Sequence, residues 1–61
     1  MCEFKVILNR ETVFEDAVYV KDDGQGLFIR DVLGQSKVFP DCHVVEISVE
    51  REELIIAEGR T

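Results

Sequence analysis

The chain has 61 residues, room for one domain over 1–61 and no second. Thirteen acidic residues against seven basic give a net charge of −6, and Lys5, Arg10, Lys21, Arg30, Lys37, Arg51 and Arg60 are scattered singly. That pattern lacks the basic run with which proteins neutralise phosphates, so it argues against a nucleic-acid partner. An acidic surface suits solubility, a metal cation or a basic partner protein.

The hydrophobic fraction of 46% fits a folded chain rather than a disordered one. A chain this short buries only about 60% of the surface its unfolded form exposes, so its core is thin and a second subunit would help it. One His and one Tyr, with no Ser-His-Asp or Cys-His grouping, leave few means of catalysis; the chain reads as a non-enzyme. No apolar run reaches the roughly 18 residues of a membrane span. The Met1-Cys2-Glu3-Phe4-Lys5 start lacks the charged leader and apolar run of a signal peptide. Two cysteines are then expected as reduced thiols in the cytoplasm.

Period-two alternation runs through the chain. Cys2, Phe4, Val6 and Leu8 share one face of a first strand, and Asn9-Arg10-Glu11 makes a polar turn. Thr12–Phe14 reads as a short strand and Ala17–Lys21 as another, rich in β-formers. Asp22-Asp23-Gly24-Gln25-Gly26 is the clearest turn signal, its Asp-Gly suited to positive φ. Leu27–Val32 returns as a strand, Gly34-Gln35-Ser36 turns, and Lys37–Phe39 is a strand that Pro40 ends, since proline cannot donate to a ladder. His43–Glu50 reads as the longest strand, with His43, Val45, Ile47 and Val49 on one face. Arg51-Glu52-Glu53 turns into a last strand, Leu54–Glu58, although the Glu and Leu of 50–58 also suit a helix. Five to six short antiparallel strands predict an all-β domain, a meander or a small barrel of SH3 or Sm type.

Two places offer metal chemistry. Removal of Met1 would leave the amine and thiol of Cys2 on one residue, able to close a five-membered chelate ring; while Met1 is retained, that nitrogen is an amide. Two such chains at a twofold axis would present two nitrogens and two sulfurs in a plane, a set that favours Ni(II) or Cu(II) over tetrahedral Zn(II). The competing reading makes Cys2 a small apolar residue at the start of the buried face of strand one. Asp41-Cys42-His43 holds three candidate ligands, but an extended backbone points Cys42 and His43 to opposite faces, unless a bend after Pro40 relaxes that. Gly24-Gln25-Gly26 lacks the strand-to-helix setting of a phosphate loop, and Asp22 and Asp23 lack the spacing of a calcium loop.

Met1-Cys2, then Val6 and Leu8, Asp31-Val32-Leu33-Gly34-Gln35, Val45-Glu46-Ile47 and Leu54-Ile55-Ile56 together resemble the CooT family along nearly the whole chain. The resemblance implies a cytoplasmic homodimer that binds nickel, a metallochaperone or store linked to maturation of carbon monoxide dehydrogenase. It implies Cys2 as the metal residue, with one Ni(II) per dimer at the interface, and maturation proteins of that enzyme as partners. Cys42 and His43 inherit no role from it. The alternative is an Sm-like module that binds RNA or protein without metal, a reading that the net charge of −6 disfavours.

Overall fold

The computed structural model describes residues 3–59. Six strands and no helix make up these residues: β1 Phe4–Leu8, β2 Glu11–Asp22, β3 Gly26–Asp31, β4 Ser36–Pro40, β5 Cys42–Ser48 and β6 Glu53–Glu58. They form one sheet in the order β4-β3-β2-β1-β6-β5. The all-β expectation holds, and the architecture is compatible with a small meander or an SH3-like fold.

Two details differ from an all-antiparallel, closed form of the expected barrel or meander. Strand β6 pairs in parallel with β1, Val6 opposite Leu54 and Leu8 opposite Ile56, whereas every other pairing is antiparallel. Among the described residues no ladder joins the edge strands β4 and β5, so the sheet stays open. It is nonetheless strongly curled. Laid flat, six strands about 4.8 Å apart would hold the two edges roughly 24 Å from each other. Yet Pro40 and Cys42 flank a single residue, which limits their Cα atoms to about 7.6 Å. Asp41 makes that corner with φ 62°, a left-handed conformation that a short polar side chain tolerates. Its N–H donates to the Gln25 carbonyl (2.9 Å) and its own carbonyl accepts from Gly59 N–H (3.0 Å). The corner thereby ties the β2–β3 hairpin to the end of β6.

Local chemistry explains the turns. Asn9 and Arg10 both have positive φ (54° and 67°), the signature of a tight two-residue hairpin, so Glu11 opens β2 instead of lying in the turn. In the β2–β3 turn, Asp22 Oδ1 accepts from Gly24 N–H, and Asp23 Oδ1 accepts from the N–H groups of Gln25 and Gly26. Asp31 Oδ1 does the same for Leu33 and Gln35 in the β3–β4 turn. The expected strands Thr12–Phe14 and Ala17–Lys21 are one continuous strand, β2, which at 12 residues is the longest. Register shifts opposite Phe4–Val6 and at Ala17–Tyr19, with Asp16 at φ 59°, bend that strand without breaking it, which is what a bulge does.

The core takes side chains from all six strands: Val6, Ala17, Leu27, Ile29, Phe39, Cys42, Leu54 and Ile56. Phe4 and Leu8 pack against it, as the alternation in β1 requires. Strand β5 departs from its expected face. Cys42 and Val44 turn inward, and a register shift between Val44 and Glu46 then reverses the parity, placing Ile47 opposite buried Leu54. Val45, Ile47 and Val49 are 58–65% exposed. Val49 and Glu50 belong to the following turn.

Candidate metal residue and the surrounding surfaces

Cys2, the sequence-derived metal residue, lies outside the described residues. Two residues further on, Phe4 opens β1 and lines an apolar cleft of about 380 Å³ with Val18, Val20, Val44, Ile47 and Leu54. Its lining comes from β1, β2, β3, β5 and β6. Val18 and Val20 face it from β2, and Ile47 faces it because of the parity reversal in β5.

The second candidate does not assemble. Asp41 is the exposed corner residue, Cys42 is a core thiol 2% exposed, and the extended start of β5 sends His43 to the other side of the strand. His43 Nδ1 is buried, with no hydrogen-bond partner among the described residues. No group of three or more His, Cys, Asp or Glu that could hold a metal ion occurs among the described residues.

Charge on the described surface is arranged in two ways. Arg51 reaches Glu46 (2.7 Å) and Glu53 (3.2 Å), an exposed pairing across the β5–β6 turn. Its guanidinium pKa is raised above the ordinary arginine value by the hydrogen bond it donates to Glu53 and then by the one it donates to Glu46. On the outer face of β2 and β3 the arrangement is aromatic and cationic. Tyr19 and Phe28 meet edge to face with ring centroids 6.2 Å apart, and the Arg30 guanidinium carbon lies 4.4 Å from the Tyr19 centroid. Along the chain Lys21 and Arg30 are isolated charges. The signal that pairs them is an aromatic-x-cation spacing on each arm of one hairpin, Tyr19-x-Lys21 and Phe28-x-Arg30.

The model of the CO dehydrogenase accessory protein family, CooT, matches residues 1–57. The chain belongs to the CooT family. That match takes in the Met1-Cys2 start and the sheet as far as residue 57, within β6. Membership implies a role in CO dehydrogenase maturation, and a CooT protein is an accessory to that enzyme rather than the enzyme itself. No curated protein matches the chain. The described residues contain no helix long and apolar enough to cross a membrane.

Proposed function

We propose that this CooT chain is a cytoplasmic homodimer that binds nickel as cargo, carrying or storing it for CO dehydrogenase maturation, and that Cys2 holds the ion. The observation that carries this reading is the family match over residues 1–57, which includes Cys2. Donor chemistry supports it. The thiolate and free amine of a processed Cys2 form a five-membered chelate, and two chains supply the four donors that a planar Ni(II) site takes.

The cleft beside Phe4 is apolar, and contact there would keep the starts of two β1 strands close. The role is one of holding and handing over an ion, with no bond of a substrate made or broken.

Nickel titration of protein with its natural N-terminus, followed in the thiolate-to-metal absorption region, tests the reading. The expected result is one ion per dimer for the native chain and no binding for Cys2→Ser, with both variants giving the same melting curve. Undiminished nickel binding by Cys2→Ser would overturn it.

A further inference from the structure

Sheet register gathers onto one surface residues that lie far apart in the chain. Tyr19 of β2 stands opposite Arg30 of β3, and Lys21 opposite Phe28. Aromatic and cationic side chains therefore alternate both along each strand and across the pair, on the face away from buried Leu27 and Ile29. The five residues Tyr19, Lys21, Asp23, Phe28 and Arg30 line an open cleft of about 360 Å³. That volume falls at the low end of the roughly 300–1,000 Å³ of small-molecule sites.

Two observations give the cleft a ligand preference. The chain has 13 acidic residues, yet neither Lys21 nor Arg30 has a carboxylate within ion-pair distance among the described residues. Asp23, the one acid on the rim, uses Oδ1 to hold the turn. An anion is the partner these cations lack. Arg30 lies within cation–π distance of Tyr19, which restrains its guanidinium, while the rest of its N–H donors stay available to that anion. The second observation is exposed aromatic surface: Tyr19 is 40% exposed and meets Phe28 edge to face, so the open part of either ring offers a plane on which a nucleobase can stack.

We propose that the outer face of the β2–β3 hairpin binds a free nucleotide, its base against Tyr19 and Phe28 and its phosphate between Lys21 and Arg30. A free nucleotide fits better than a nucleic-acid strand. Strand affinity grows with the number of phosphates neutralised, and here two cations stand against a chain of net charge −6. This site is separate from Cys2 and stands or falls independently of nickel.

Titration of the ¹⁵N-labelled full chain with AMP tests the proposal, with adenosine, ribose 5-phosphate and a short single-stranded oligonucleotide as parallel arms. AMP is expected to shift the amides of Tyr19, Lys21, Phe28 and Arg30 saturably. Adenosine and ribose 5-phosphate, each lacking one half of the recognised group, are expected to bind about tenfold more weakly or worse. Lys21→Gln with Arg30→Gln removes the phosphate contacts at exposed positions, and Phe28→Leu removes the stacking plane while keeping apolar bulk. Each should weaken AMP by about tenfold with an otherwise native spectrum. Absence of a saturable shift at millimolar AMP would overturn the proposal. So would unchanged affinity in the Lys21→Gln/Arg30→Gln protein, or binding of the oligonucleotide without AMP.

Discussion

Replacing Gly26 by alanine tests how the curled sheet is held shut. Gly26 is buried, starts β3 and pairs with Pro40, beside the Asp41 corner. A Cβ added there would lie 2.7 Å from the Phe39 carbonyl oxygen, 2.9 Å from Pro40 Cα and 3.2 Å from Asp41 N. All three atoms are backbone, so no flexible side chain can swing away. Relief requires the corner to move, which strains the Asp41–Gln25 and Asp41–Gly59 hydrogen bonds. Overpacking of this kind costs about 1–3 kcal/mol, and the backbone contacts place Gly26→Ala in the upper part of that range. The lower unfolded-chain entropy of alanine returns about 0.4–1 kcal/mol, leaving a net loss of about 2 kcal/mol. At roughly 4–8 °C per kcal/mol for a domain of this size, Tm should fall by about 8–16 °C. Gly34→Ala is the control. Gly34 has φ +90° and open space around it, so only conformational strain of about 1–2 kcal/mol opposes a side chain, less the same entropy gain. Thermal melts followed by circular dichroism, with urea midpoints alongside, compare the two. A Gly26→Ala protein melting within about 2 °C of the parent, or above Gly34→Ala, would refute the close-approach argument.

Four further outcomes follow from the packing and the turns. Ile56→Ala empties a site 2% exposed between β1 and β5 and should cost about 2–5 kcal/mol, read from the urea midpoint; against a total of roughly 3–9 kcal/mol this leaves much of the protein unfolded. Cys42→Ser replaces a buried thiol with a smaller, more strongly hydrated hydroxyl and should cost about 1–3 kcal/mol by the same measurement; nickel titration of this variant should match the parent. Asp31→Ala leaves the Leu33 and Gln35 N–H groups without their shared acceptor and should lower stability by about 1 kcal/mol, while Asp31→Asn, which keeps Oδ1, should lose less. Arg51→Gln should lower Tm slightly in dilute buffer and not at all near 1 M salt, where charges are screened beyond about 3 Å, because both its partners sit at an exposed turn.

What the sequence by itself determined here is local. Alternation of Phe4, Val6 and Leu8 marks β1 with its inward face, and the Asp-rich, Gly-rich segment 22–26 marks the central hairpin, because side-chain period and turn chemistry depend on neighbours in the chain. Tertiary structure decided what depends on register. The reversal of β5 at Val44–Glu46, which turns Ile47 to the cleft, is set by pairing with β6 and leaves no mark on alternation until that partner is known. The parallel β1–β6 ladder and the Asp41 corner belong to the curling of a six-strand sheet whose edge strands are joined through a single residue. The outer-face cluster has the same origin. Lys21 and Arg30 are isolated charges along the chain, and only the pairing of β2 with β3 places them around Tyr19 and Phe28.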